Sequence, residues 1–249
     1  MAKKSILITG ASGNIGRTVS QKASKEFNIL YLHTFQNIEK LIELKAQFHN
    51  ECEIYIFQAD ITNNQKLCNK INDIISNKKL DAFVHCAARR STDAVKLVSS
   101  NPELWEEVIK VNLLGTYYLL RAVLPFLRKA SCGKIVLLGS IVSQIGLSNG
   151  SAYASSKAGI SNLVKSIAIE EGVNNILINA VLPGPVEIDQ SNFPTEYQQF
   201  RKKYYQEMKA QIPLHRFAQP EEVANLIMFL ISDRNKYITG QEIRISGGL

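Results

Sequence analysis

A doubly wound α/β domain, a mostly parallel seven-stranded sheet with helices on both faces, is predicted by three features of the sequence. Apolar runs of strand length recur at 5–9, 28–32, 53–58, 81–85, 134–139, 176–182 and 242–245. Segments with helical periodicity lie between them, among them 15–27, 101–129, 151–171 and 220–231. The strand runs are almost continuously apolar rather than alternating, which is how strands read when both faces of a sheet are covered. Regular alternation of strand and helix then implies parallel neighbours joined by helical crossovers.

One domain spanning 1–249 accounts for the chain, which has no internal repeat, low-complexity tract or linker rich in Pro, Gly or Ser. An apolar share of 45% is ample for a full core and excludes a disordered chain. The four cysteines, Cys52, Cys68, Cys86 and Cys132, fall at irregular spacings without a C-x-x-C pair or a histidine cluster. Neither a disulfide framework nor a metal site is expected. Met1-Ala2-Lys3-Lys4 runs straight into a strand too short for a signal segment or membrane span, so a cytoplasmic protein without membrane attachment is expected. The formal charge of +7 is scattered, and its densest run, Arg201-Lys202-Lys203, reads as solvated surface rather than a nucleic-acid footprint.

The first strand ends in Thr9-Gly10-Ala11-Ser12-Gly13-Asn14-Ile15-Gly16-Arg17 and leads into a helical pattern. Glycines at a strand-to-helix turn let backbone approach a pyrophosphate, whose charge meets the free N–H groups of the helix N-terminus. Gly10, Ser12, Gly13, Asn14, Ile15 and Gly16 are therefore candidate contacts to a dinucleotide in a Rossmann-type fold. Asn tolerates positive φ, so Asn14 is expected to help shape this turn. Cofactor choice is read at the end of the second strand, where a carboxylate would bond the ribose 2′-hydroxyl of NAD. Tyr31-Leu32-His33-Thr34-Phe35 has none. Thr34 can donate to a 2′-phosphate and His33 or Arg17 can add positive charge, so NADP(H) is preferred and NAD(H) is the alternative. After the third strand, Asp60-Ile61 offers a carboxylate for the adenine amino group, or else a cap for the next helix.

The candidate chemistry lies further on. Ser140 ends the fifth strand, and Tyr153-Ala154-Ser155-Ser156-Lys157 opens a long helix. Residues i and i+4 share a helical face, so the phenol and the ammonium stand side by side, and a cation beside a phenol favours release of its proton. Tyr153 is the expected general acid/base, Ser140 the donor that holds a substrate oxygen, and Lys157 a grip on the nicotinamide ribose as well. The connection 187–213 carries Phe193, Tyr197, Phe200, Tyr204 and Tyr205 where such a fold binds ligands. It is a candidate substrate lid, the alternative being an aromatic helix packed on the core or on a partner subunit.

With these motifs in their order, the sequence resembles the short-chain dehydrogenase/reductase family over essentially the whole chain. It is most similar to the 3-oxoacyl-[acyl-carrier-protein] reductase branch. The resemblance implies that Asn112, in Val111-Asn112-Leu113-Leu114-Gly115-Thr116, is a fourth catalytic residue that kinks its helix and holds a relay water. It implies that Asn179 and Pro183-Gly184 belong to the segment closing over the nicotinamide, with the Val186 N–H at the carboxamide. Ile212-Pro213-Leu214-His215-Arg216, Gln219-Pro220-Glu221-Glu222-Val223-Ala224 and Ser246-Gly247-Gly248 also resemble that branch. Three features depart from it. The glycines at 10, 13 and 16 put Asn14 where the branch has glycine. His85-Cys86-Ala87-Ala88 replaces its N-N-A-G, leaving Cys86 and Ala87 as backbone contacts near the adenosine. Ile188 stands where a threonine often touches phosphate.

The activity so implied is NADP(H)-dependent reduction of a 3-oxoacyl thioester or a small hydrophobic ketone to a secondary alcohol. The glycine spacing keeps an epimerase- or dehydratase-like use of the cofactor as an alternative, and a catalytically silent cofactor-sensing protein is a second. Arg128-Lys129 sits where resembling reductases carry residues that dock an acidic carrier, so the substrate is either small or carrier-linked. A homotetramer through the two long helices is expected.

Overall fold

In the computed structural model, which describes all residues except 1–2, 49–51, 77, 190 and 192, seven strands form one sheet. They are β1 (Ser5–Thr9), β2 (Ile29–Thr34), β3 (Glu53–Gln58), β4 (Ala82–His85), β5 (Gly133–Leu138), β6 (Ile176–Pro183) and β7 (Glu242–Ile245), in the order 3-2-1-4-5-6-7. Every adjacent pair is parallel. Between the strands run α1 (Asn14–Ala23), α2 (Ile38–Ala46), α3 (Asn64–Ile75), α4 (Pro102–Ile109), α5 (Gly115–Leu127), α6 (Val142–Ile145), α7 (Ser151–Glu171), α8 (Thr195–Gln211) and α9 (Pro220–Ile231).

The pleat divides the core in two. Ile6 and Ile8 of β1 point to a layer closed by Val19 of α1, Leu41 of α2 and Ile227 of α9. Leu7 points to the other, closed by Leu67 of α3, Leu119 of α5 and Ile160 of α7. Each such aliphatic side chain contributes about 1.5–3 kcal/mol by leaving water. The central strands are thereby the most firmly anchored part of the molecule, and their carboxyl ends are a rigid base for a site.

The periodic run 101–129 is not one helix. A π-helical segment, Lys110–Leu114, separates α4 from α5. The wide turn seats the fully buried Asn112, whose amide has polar partners on two other segments, and those bonds offset the irregular backbone. No described helix is long and apolar enough to cross a membrane.

Candidate active site

The strand order reverses between β1 and β4, and a crevice opens there at the carboxyl ends, where open α/β sheets receive ligands. Gly10 turns the chain out of β1 with φ of +67°, and a Cβ on it would lie 2.6 Å from the Ala87 backbone nitrogen. A Cβ on Gly16 would lie 2.2 Å from the Gly10 carbonyl oxygen, so the α1 terminus can sit this close to the loop only as glycine. Among the described residues no side chain caps the α1 N-terminus, and its first turn carries no acidic residue. Asn14 departs from expectation: it is the first residue of α1, outside the positive-φ region. Its helical place removes any need for a left-handed turn there. Its Oδ1 instead accepts from the Asp189 N–H at 3.3 Å, tying the loop to the segment beyond β6.

One cavity of about 520 Å³ is lined by Gly10, Ser12, Gly13, His33, Thr34, Asp60, Ile61, Cys86 and Ala87. The Ser12 and Thr34 hydroxyls are 2.8 Å apart. These residues fit the adenosine end of a dinucleotide: a glycine cradle that a Cβ would fill, an uncapped helix terminus, and no carboxylate at the tip of β2. His33 does not bring the positive charge expected of it. Its Nε2 lies 2.9 Å from the Ala59 carbonyl oxygen, and burial drives its pKa down to about 4, so the ring is neutral. Arg17 turns away toward Gln47. The Asp60 Oδ1 accepts from both the N–H and hydroxyl of Thr62 at 2.8 Å, while α3 is capped by Asn63. His85, also buried and pushed down to about 3, bridges the Thr9 and Thr116 hydroxyls at 2.6 and 2.9 Å. Burial pushes the Cys86 thiol up to about 12, which makes it a packing residue.

A second cavity, about 130 Å³, is lined by Ile15, Ser140, Tyr153, Pro183, Gly184 and Val186. Ser140 sits just beyond β5, its Oγ accepting from the Val142 N–H at 3.4 Å. Tyr153 lies in the first turn of α7, and its hydroxyl has no hydrogen-bond partner among the described residues. The Lys157 Nζ is 5.6 Å from the Tyr153 ring centroid and donates to the Leu138 carbonyl at 2.6 Å. Lys157 is only 1% exposed; burial first, and the Arg90 charge second, lower its pKa to about 8. Asn112 stands behind this group. Its Nδ2 donates to the Arg89 carbonyl and to the Ser156 Oγ, and its Oδ1 accepts from the Arg89 N–H. Asn179 is further off, clamping the turn before β7 through Ile238 and Gln241.

The connection after β6 carries α8, and Tyr197, Phe200, Tyr204 and Tyr205 line the second cavity. Their rings form a ladder with Phe193, each centroid 5.4–6.2 Å from the next. Arg201 corrects the reading of the basic run: it is 2% exposed, with Nη2 donating to the Tyr205 hydroxyl at 2.6 Å, whereas Lys202 and Lys203 are exposed. Arg90, not anticipated as a site residue, lines the same cavity. A second arginine directly beyond the fourth strand, in Arg89-Arg90, was the available signal. Arg128, of the expected docking pair, binds Glu171 through two nitrogens, at 2.9 and 2.5 Å, and the Lys129 ammonium lies over the Phe126 ring at 5.2 Å.

Residues 10–249 match the family model described as enoyl-(acyl carrier protein) reductase. The chain is 32% identical to the 3-oxoacyl-[acyl-carrier-protein] reductase FabG of Staphylococcus aureus, over 99% of this chain and 98% of that protein. A 3-oxoacyl-[acyl-carrier protein] reductase structure from Brucella melitensis superposes with a TM-score of 0.86 at 26% identity, covering 99% of this chain and 91% of that one. A short-chain type dehydrogenase/reductase from Mycobacterium ulcerans gives 0.85 at 26% identity, over 98% and 89%. The chain belongs to the short-chain dehydrogenase/reductase family, NAD(P)-dependent oxidoreductases of CH–OH and carbonyl groups.

Proposed function

We propose that this protein reduces a carbonyl compound to a secondary alcohol with NADP(H), Tyr153 delivering the proton. The observation that carries the reading is Tyr153 beside the buried Lys157 and across one cavity from Ser140. When bound, the cofactor supplies the hydride that the carbonyl carbon accepts. The Ser140 hydroxyl donates to the carbonyl oxygen and fixes its direction. The Tyr153 hydroxyl then gives its proton to that oxygen as negative charge develops there, and the neighbouring ammonium of Lys157 stabilises the phenolate left behind. Asn112 acts at one remove, holding Arg89 and Ser156 in place.

The first cavity supports NADP(H) over NAD(H). The tip of β2 has no carboxylate to repel a 2′-phosphate, Thr34 offers a hydroxyl, and Lys110 lines the same space. Arg89 lines it too, paired with Glu107 at 2.8 Å. Purified protein is expected to oxidise NADPH with a small ketone or a 3-oxoacyl thioester as substrate, forming the alcohol. Its kcat/KM for NADPH should exceed that for NADH by at least roughly tenfold, the worth of one charge-assisted contact. Tight NADPH binding without turnover of any carbonyl would overturn the reading.

The same reading makes the assembly a homotetramer built on the α4–α5 and α7 surfaces. Leu114, Tyr117 and Ile169 are exposed there, apolar side chains that a partner would cover. Light scattering at micromolar concentration should return the mass of about four chains; a monomer refutes this assembly.

A further inference from the structure

Carbonyl reduction by Tyr153 makes no use of the two arginines beside it. The Arg90 guanidinium carbon lies 5.8 Å from the centroid of the Tyr153 ring and 5.8 Å from that of Phe193. Arg201 approaches the same Phe193 ring from α8 at 5.2 Å and stacks on Tyr205 at 4.4 Å. Both line the cavity that holds Ser140 and Tyr153, and no Asp or Glu among the described residues lines it. Arg90 takes part in no ion pair among the described residues.

We infer that Arg90 and Arg201 form a carboxylate-binding subsite within the substrate pocket, so that the reacting carbonyl belongs to a compact oxo acid. This rests on the reading of Tyr153 as proton donor to a carbonyl.

Charge is the first argument. Two guanidinium groups brought to one half-closed cavity repel each other, and the loss of water there strengthens the repulsion. The aromatic faces around them return about 0.5–2 kcal/mol for each cation. The Tyr205 phenol gives Arg90 no counter-charge: burial raises its pKa despite the arginines beside it. A carboxylate supplies that charge, and its two oxygens match the planar fork of a guanidinium.

Construction is the second argument. Arg90 is not a loose surface side chain. Asn112 bonds both the N–H and the carbonyl of the preceding Arg89, and the Ser91 Oγ on its other side accepts from the Tyr153 N–H at 3.3 Å. The backbone that carries Arg90 is thus pinned to the proton donor itself.

Proximity is the third. The Arg90 guanidinium stands 5.8 Å from the Tyr153 ring centroid, in the same cavity as Ser140. With the guanidinium against the ring of the proton donor, carboxylate and carbonyl sit a few bonds apart in one small molecule. In the reduction the carbonyl π bond opens, its carbon takes the hydride of NADPH and its oxygen the Tyr153 proton, and the carboxylate keeps its charge throughout.

The test compares acetoacetate, 2-oxobutyrate and levulinate with their methyl esters as substrates for NADPH oxidation. At least one acid should exceed its ester in kcat/KM by tenfold or more. In Arg90→Met that acid-to-ester ratio should fall at least tenfold, chiefly through KM, with partial recovery in Arg90→Lys. Arg201→Lys is expected to lower the same ratio. Calorimetry on the NADP⁺-saturated protein reads the selectivity without turnover, using butyrate against methyl butyrate. Carboxylate binding that depends on Arg90 in a protein that turns over no carbonyl would sink the catalytic reading and leave the subsite standing. Esters handled as well as acids, in turnover and in binding, would overturn the subsite. Preference for the phosphorylated ketone dihydroxyacetone phosphate over every carboxylate would overturn the assignment to carboxylates.

Discussion

Tyr153→Phe is expected to lower kcat by about 10³-fold, within the range that a positioned general acid contributes, while the protein folds and binds NADPH as before. The substitution removes only a hydroxyl. That hydroxyl has no hydrogen-bond partner among the described residues, so its loss leaves no buried group unsatisfied. The phenyl ring retains its place against Lys157 and Arg90, whose contacts are to the ring face. Fluorescence titration should therefore return an NADPH dissociation constant within about threefold of the parent, a difference below 1 kcal/mol. A stopped assay following the alcohol product measures the rate. Activity within tenfold of the parent would remove Tyr153 from the proton transfer and leave Ser140 or a water to supply it.

The placement of the candidate-site residues was legible to different degrees, and the difference is physical. Ser140, Tyr153 and Lys157 could be read because strand end, loop and helix face are local properties: the strand pattern stops beside Ser140, and i, i+4 spacing needs only a helix. Gly10 and Gly16 could be read because close backbone approach leaves a residue type behind. Arg201 could not, because Arg201-Lys202-Lys203 looks the same whether the first of the three faces water or a cage of rings. Only the placement of α8 over the cavity separates them. His33 was misjudged for a related reason: its charge depends on burial between β1 and β3, and burial is a property of the assembled sheet. The break at Asn112 escaped the periodicity because a five-residue π segment barely shifts the apolar stripe. The parallel sheet itself was legible almost to the residue, with β1, β3 and β7 beginning and ending where the apolar runs do.

Lys157→Met should separate function from stability in opposite directions. Loss of the ammonium beside Tyr153 removes the charge that stabilises the phenolate, and kcat/KM should fall by about 10²-fold or more. Stability should rise. Lys157 is 1% exposed with one backbone partner, the Leu138 carbonyl, and with Arg90 as a like charge nearby. Methionine of similar shape lacks the desolvation cost. The sign follows from proton linkage. An unfolded chain holds the Lys157 proton up to about 10.5 and the folded protein only up to about 8, so between those values the unfolded state binds more protons. The parent's stability therefore climbs with pH across that window as the buried charge is relieved. The advantage of the methionine variant should be full below about pH 8 and should shrink as pH rises toward 10.5. Parent activity should decline over the same alkaline range as Lys157 loses its proton. Arg90→Met, by removing the second cause of the lowered pKa, should move that decline to higher pH. Thermal melts and rate profiles of the three proteins across that range decide the matter. A variant less stable than the parent at pH 7, or an alkaline limb that ignores Arg90, would show that Lys157 is not held as a strained buried cation.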